Sequence, residues 1–143
     1  FTDRADTLTL DLRAAYDVDG LKELTRRFVF SREGSGSFEV TDRVAFDQPN
    51  DFGTALITFD KWERTGENTL RVGSGDHAVE VHIDTDGIPF DIKAEPIEED
   101  LPGGKIPTRL GIDLSKPAAE ATIRITIRPA QTGSLAAQTE PRP

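Results

Sequence analysis

Cysteine and methionine are both absent from this sequence of 143 residues. Without cysteine the chain has neither a disulfide framework nor a thiolate metal site, and the redox compartment stays undetermined. Without methionine, residue 1 is not an initiator, so we expect a processed or excised part of a longer protein. A chain of this length can bury about two thirds of its unfolded surface in a single core.

Positive charge is also scarce, because 17 lysines and arginines face 26 acidic residues and leave a net charge of -9. This charge repels a phosphate backbone, and no basic patch interleaved with aromatic residues offsets it, which argues against a nucleic-acid partner. Apolar runs of membrane-spanning length are missing, and no secretion leader opens the chain. We therefore expect a soluble chain with no membrane partner.

Helical periodicity is rare, whereas the alternation typical of strands recurs along the whole chain. Every second residue from Leu8 to Leu12 is leucine, which predicts a strand with one face on a core and one in water. Residues 26–31 and 38–46 are rich in β-branched and aromatic residues and flank a glycine-rich segment, which predicts a β-hairpin. The cleanest alternation covers 121–128, with three isoleucines facing inward.

The remaining segments complete a fold made of strands. Further strands are predicted over 52–59, 69–72, 78–84, 90–94 and 108–113. The apolar run 52–59 is typical of a strand covered on both faces, a β-turn is expected at 47–51, and 18–24 is the only helix candidate. Roughly nine or ten short strands with regularly spaced turns predict an all-β protein, an antiparallel β-sandwich. We assign the sandwich domain to 1–129 and a flexible C-terminal tail to 130–143.

An acidic residue occupies a core position of the second hairpin strand. Asp42 falls in the same register as Val40 and Val44, where an apolar side chain is expected. A carboxylate there is costly unless it is paired, and Arg26 and Arg27 on the preceding strand are its natural partners. We interpret Asp42 as part of a structural ion pair and not as a catalytic group.

No group of residues in the sequence indicates catalysis. No serine lies in a nucleophile elbow, and no two carboxylates are singled out for glycoside hydrolysis. Glu80, His82 and Asp84 offer metal-binding atoms on one strand face, but a solvated face has the same pattern. Asp-x-Asp-Gly at 17–20 and 84–87 does not meet the EF-hand template, so Asx turns are predicted. We predict no catalytic residue, no metal site and no cofactor.

The only compact basic cluster consists of Lys22, Arg26, Arg27 and Arg32. If the chain contacts an acidic polysaccharide, Lys22, Arg26 and Arg27 are the predicted binding residues, because guanidinium groups pair carboxylates or sulfates bidentately. Trp62 is the best single candidate for stacking on a sugar ring. Filling a gap beneath a loop explains Trp62 equally well.

Three short motifs resemble, in the same order, the sheet region of heparinase II/III-like proteins. The motifs are Asp11-Leu12-x-x-Ala15-Tyr16, Arg26-Arg27-Phe28-Val29-Phe30 and Val40-x-Asp42-Arg43-Val44. The resemblance covers residues 7–46 and is weak beyond them. That family contains polysaccharide lyases acting on uronic-acid polymers such as heparin, heparan sulfate and alginate.

The resemblance implies a sandwich packed behind a helical domain that supplies the principal catalytic residues, with the rest of the parent lyase chain as a partner. It also implies a periplasmic or secreted location and a structural role for Tyr16 at a sheet edge. The predicted function is that of a non-catalytic C-terminal β-sandwich domain that supports the lyase cleft. The alternative is a stand-alone carbohydrate- or protein-binding module.

Overall fold

The computed structural model describes residues 2–98 and 103–131, which form strands and two short 3-10 turns. The ten strands are β1 (Ala5–Asp11), β2 (Leu21–Ser31), β3 (Ser37–Asn50), β4 (Gly53–Thr58), β5 (Trp62–Arg64), β6 (Thr69–Val72), β7 (Val79–Asp84), β8 (Phe90–Pro96), β9 (Thr108–Leu114) and β10 (Ala118–Pro129). The 3-10 turns lie at Arg13–Ala15 and Gly75–His77.

The strands form two antiparallel sheets. The larger sheet has seven strands in the order β1-β2-β3-β10-β7-β6-β5, and the smaller sheet has three in the order β4-β9-β8. Buried side chains from both sheets form one apolar cluster. The prediction of an all-β antiparallel sandwich is confirmed.

The core lies between the inner faces of the two sheets. Directly opposite residues of antiparallel strands share a face, so one row across five strands marks the inner face: Leu8, Phe28, Val40, Ile125 and Ile83. At the centre of the sheet Ile125 and Ile83 are 2% and 0% exposed. The fully buried side chains come from both sheets: Leu70, Ile83, Leu110, Ile112, Ile123, Ile125, Val44 and Val81.

Two side-chain contacts show where the smaller sheet lies. Nη2 of Arg26 on β2 donates a hydrogen bond to Oγ1 of Thr54 on β4 at 3.1 Å, so β4 lies over the β2 side of the larger sheet. At the other end, the guanidinium carbon of Arg64 on β5 lies 5.8 Å from the ring centroid of Phe90 on β8. The three strands of the smaller sheet therefore lie over the part of the larger sheet from β2 to β5. Strand β1 lies outside this covered part.

Residues 18–24, predicted as the only helix, do not form one. Residues 18–20 form a turn, and residues 21–24 are the first part of β2. Gly20 has a φ of 77°, in the left-handed region that favours glycine, and Leu21 begins the strand. The pairing with β3 shifts by one residue between Leu21 and Glu23. This β-bulge lets Leu21 and Leu24 both face inward although they are three residues apart. The prediction was wrong because a bulged strand reproduces the spacing of a helix face.

Two predictions around the start of β4 also need correction. The β-turn expected at 47–51 is wrong, because β3 continues to Asn50, which pairs with Ala118 of β10. The run 52–59 does contain a strand, but β4 is an edge strand, and Ile57 on its outer face is 63% exposed. An apolar run does not reveal whether a further layer covers its second face.

The glycine loop between β2 and β3 and the Asx turn after β7 are formed as predicted, whereas the turn at 17–20 is closed by a backbone hydrogen bond from the N–H of Leu21 to the carbonyl oxygen of Val18 at 3.2 Å. Gly34 and Gly36, between β2 and β3, have φ values of 61° and 82°, which other residues rarely adopt. After β7, the backbone N–H of Asp86 donates to Oδ1 of Asp84 at 3.0 Å, which is an Asx turn. The glycine-loop hairpin and this Asx turn are thereby confirmed.

The last strand, β10, ends at Pro129, the final residue of the predicted sandwich domain. The predicted tail covers 130–143. At its start, the backbone N–H of Ala130 donates a hydrogen bond to the carbonyl oxygen of Ala78 at 2.9 Å. Residues 132–143 lie outside the described residues, so the domain boundary stays a prediction. Within 2–98 and 103–131, no helical segment has the length and hydropathy of a membrane-spanning helix.

Candidate functional site

Part of the inner face of the larger sheet has no described strand opposite it. This open face consists of six apolar side chains on three strands: Leu8 and Leu10 of β1, Phe28 and Phe30 of β2, and Phe38 and Val40 of β3. Leu8, Leu10 and Phe30 are 54%, 37% and 46% exposed. An exposed apolar surface rimmed by polar groups marks an interaction site.

At one end the open face deepens into a recess of about 350 Å³. Strands β2 and β3 form its floor, the loop after β1 forms one wall, and the corner that leads into β4 forms another. Its apolar lining includes Leu12, Val18, Leu24, Val44 and Phe52. A volume of this size lies at the lower end of the range for small-molecule pockets, about 300–1,000 Å³.

Arg26 and Asp42 meet at the floor of the recess. Nε of Arg26 donates to Oδ1 of Asp42 at 2.6 Å, and Nη2 donates to Oδ2 at 2.8 Å as well as to Thr54. Asp42 is 3% exposed, whereas 35% of the Arg26 side chain is exposed. Asp42 thus has the arginine partner that the sequence predicted, in the bidentate geometry that makes such pairs strong.

The electrostatics of the pair keep Arg26 charged. The hydrogen bonds to the Asp42 carboxylate raise the pKa of Arg26 above its usual value, and partial burial opposes that effect without cancelling it. Because Nε and Nη2 are already engaged, Arg26 acts as a structural cation and not as a proton donor. The two charged groups at the floor of the recess are therefore engaged with each other, since both carboxylate oxygens of Asp42 accept hydrogen bonds from Arg26.

The predicted basic residues do not converge on one site. Nζ of Lys22 lies 3.1 Å from Oδ1 of Asp47 in an exposed ion pair. Arg26 points to the inner face, and Arg27, the next residue along the strand, points to the outer face. A ligand on either face therefore meets only one of the two arginines.

Trp62 lies at the far edge of the larger sheet. It begins β5, opposite Val72 of β6, and is half-buried against the core. Five strand spacings, about 24 Å measured along the sheet, separate β5 from β2. Trp62 and Arg26 therefore cannot contact the same sugar unit.

Arg27 has a neighbour on the outer face that the sequence did not single out. Arg27 lies opposite Thr41, and Arg43 lies opposite Thr25, so the two arginines are diagonal neighbours on β2 and β3. Both are exposed, and no ion pair among the described residues involves either one. Only the strand register reveals this pair of cations.

Tyr16 and the two histidines lie apart from one another. Tyr16 follows the first 3-10 turn, lines the recess and is 56% exposed. His77 ends the second 3-10 turn, and His82 lies on β7, three strand spacings from β2. In the part of the chain that the structure describes, no three histidine or acidic side chains are grouped to hold a metal ion.

The far end of the open face is edged by an ion pair between Arg32 and Asp6. The guanidinium carbon of Arg32 also lies 5.2 Å from the ring centroid of Phe30. The hydrogen bond from Arg32 lowers the pKa of Asp6 below its usual value, although desolvation acts in the opposite direction. This end of the face therefore carries balanced charge.

Comparison with known proteins yields no assignment, because no family model matches the sequence and no curated protein matches it.

Replacing Arg26 with alanine should lower the free energy of unfolding by about 3 kcal/mol, because it leaves the Asp42 carboxylate buried without a partner. This value is the lower end of the range for buried pairs, since water reaches part of Arg26. Urea denaturation measures the change. Arg27→Ala, on the outer face, is the matched control and should change stability by less than about 0.5 kcal/mol. Equal losses in both variants would contradict the structural role of the pair.

Acid should remove the contribution of the Asp6 ion pair. Because the folded pKa of Asp6 is lowered, the pair stabilises the fold above the ordinary aspartate pKa and loses this effect as pH falls through the folded value. NMR titration of the Asp6 carboxyl should give a midpoint that rises in Arg32→Ala. Arg4→Ala removes a nearby exposed arginine and should leave the midpoint almost unchanged. A midpoint that is insensitive to Arg32 would refute the assignment.

Proposed function

We propose that this chain is the non-catalytic C-terminal β-sandwich domain of a heparinase II/III-like polysaccharide lyase and that it supports the lyase cleft of a longer parent protein. The observation that carries this proposal is the open face. Leu8 and Leu10 point to the core side of the sheet yet remain exposed. Such a surface suits a domain that packs against another part of its parent.

The residues that carry the family resemblance also build one structural unit. The first motif ends at Tyr16 beside the recess, the second contributes Arg26, and the third contributes Asp42. A resemblance based on strand-like segments would not by itself require these residues to meet. Because all three residues line the same recess, the structure is consistent with a shared structural role for the three motifs.

Catalysis is assigned to the remainder of the parent. A lyase must remove the proton at C5 of a uronate, and a general base must lie within hydrogen-bond reach of that proton. The resemblance implies a tyrosine, often with a histidine, for this step. Tyr16 lines the recess on the inner side of the larger sheet, whereas His82 lies between the buried Val81 and Ile83 on β7 and therefore points to the outer side. These two side chains do not form such a pair.

Contact with an acidic polysaccharide is assigned to the outer face. Arg27 and Arg43 present two exposed guanidinium groups next to each other, and guanidinium groups pair with carboxylates and sulfates. On the inner side, Asp51 lines the recess, and Asp17 and Asp19 flank Val18 in its wall. These carboxylates would repel an anionic sugar.

Assays of product formation test the lyase assignment. The isolated chain should release no 4,5-unsaturated uronate from heparin, heparan sulfate or alginate, whereas the parent protein should release it from at least one of them. The ultraviolet absorbance of the unsaturated product is the measurement. Product from the isolated chain would contradict its non-catalytic role. A parent that cleaves none of these polymers would contradict the lyase assignment and favour a stand-alone binding module.

Loss of the outer-face cations should weaken binding to heparin. Replacing Arg27 and Arg43 with alanine should raise the dissociation constant about tenfold, because each exposed charge contact contributes up to about 1 kcal/mol. Replacing Arg71 and Arg128, which flank Glu80 farther along the same face, removes the same charge and should have a smaller effect. Calorimetry at low salt measures both. Equal weakening in the two double variants would mean that heparin is attracted by overall positive charge, which would contradict a binding site at Arg27 and Arg43.

A further inference from the structure

The open face is bordered by a strand edge that has no partner among the described residues. Phe52 lies directly opposite Leu114 as the ladder of β4 and β9 continues, and its carbonyl oxygen accepts a hydrogen bond from the N–H of Leu114 at 2.9 Å. Hydrogen-bonded pairs alternate along an antiparallel ladder. Thr54 and Leu56 therefore bond to β9, whereas Ala55 and Ile57 direct their N–H and C=O groups to the other side.

That free edge of β4 faces the space above the open face. The bond from Arg26 to Thr54 places β4 over β2, and β1 lies farther out in the same direction. Strand β4 carries no charge and no proline, which are the common means of protecting an exposed edge. The described chain thus leaves a bare strand edge beside an uncovered apolar surface.

An extended strand is the occupant that suits both features. A strand paired with β4 would lie about 4.8 Å from it, and stacked sheets pack about 10 Å apart, so alternate side chains would reach Leu8, Leu10 and Phe28. A helix could cover the apolar side chains but would leave the edge of β4 unpaired. A sugar chain lacks the regularly spaced backbone N–H and C=O groups that would pair with the edge of β4.

The acidic side chains around the recess indicate which kind of strand would bind. Asp17, Asp19 and Asp51, which lie in or beside the walls of the recess, take part in no ion pair among residues 2–98 and 103–131. The chain as a whole carries a net charge of -9, so a second copy would be repelled. A strand with lysine or arginine beside its apolar residues would be attracted.

We propose that the open face binds an extended polypeptide strand that pairs with β4, places apolar side chains on Leu8, Leu10 and Phe28, and carries basic residues towards the acidic rim of the recess. The strand comes from the remainder of the parent chain, and this source alone rests on the proposed function. The mode is β-strand addition, in which backbone hydrogen bonds supply affinity and alternate side chains supply specificity.

A labelled peptide of alternating lysine and valine tests the surface on the isolated chain by fluorescence anisotropy. It should bind saturably, and a peptide with glutamate in place of lysine should not. Ala55→Pro removes an N–H that points to the free edge and should weaken binding about tenfold or more while sparing the ladder with β9.

The matched control is Ala94→Pro on β8, the other edge strand of the same sheet. The bonds from Ser115 N–H to the Pro89 carbonyl and from Ile97 N–H to the Pro107 carbonyl direct the N–H of Ala94 to the free side. Ala94→Pro should therefore leave peptide binding unchanged. Thermal melts verify that both variants fold. If Ala55→Pro does not fold, Leu8→Ser, at an exposed position, should still weaken binding several-fold.

Equal affinity of wild type and a folded Ala55→Pro variant, equal binding of the glutamate peptide, or no saturation would overturn the docking surface. These results do not depend on the lyase assays, so the strand-binding surface can be disproved without disproving the proposed lyase function, and the reverse. In the parent protein, hydrogen exchange at the amides of Ala55 and Ile57 should be slower than in the isolated chain. Unchanged exchange would overturn the parental source of the strand.

Discussion

The bridge from Arg26 to Asp42 and Thr54 is the interaction on which the rest of the structure depends. It joins β2, β3 and β4, and it therefore sets the position of the smaller sheet on the larger one. A buried carboxylate costs several kcal/mol unless its oxygens are satisfied, and here both accept hydrogen bonds from one guanidinium group. Because the bridge holds β4 over β2, the inner face of β1 lies beyond the smaller sheet, and the open face results.

This offset between the sheets gives the two sides of the larger sheet different chemistry. The inner side offers apolar side chains, a recess and a free strand edge, which are the features that bind polypeptide. The outer side offers polar side chains and the exposed pair Arg27 and Arg43, which suit an anionic ligand. The two sides of the larger sheet therefore present separate surfaces to ligands of different chemistry.

Much of the fold was predictable because strand alternation is a local property. The sandwich follows from this alternation, and the glycine loop before β3 and the Asx turn at Asp84 follow from turn chemistry, which is equally local. The helix predicted at 18–24 was wrong because a β-bulge changed the spacing of the inward-facing residues. The prediction that both faces of β4 are covered was wrong because an apolar run has the same sequence whether one or both of its faces are buried. The candidate site was predicted only in part: Asp42 was recognised as needing an arginine, but the open face was not.

The sequence by itself determined that the chain forms antiparallel sheets, which residues share a face, and that Asp42 requires a cation. These properties depend on neighbouring residues and on the cost of burying a charge. The tertiary structure alone decided that Arg26 is the partner, that Arg27 joins Arg43 on the opposite side, and that Leu8 and Leu10 remain exposed. Those outcomes depend on strand register and on the placement of one sheet over the other, which arise from pairings between residues far apart in the chain.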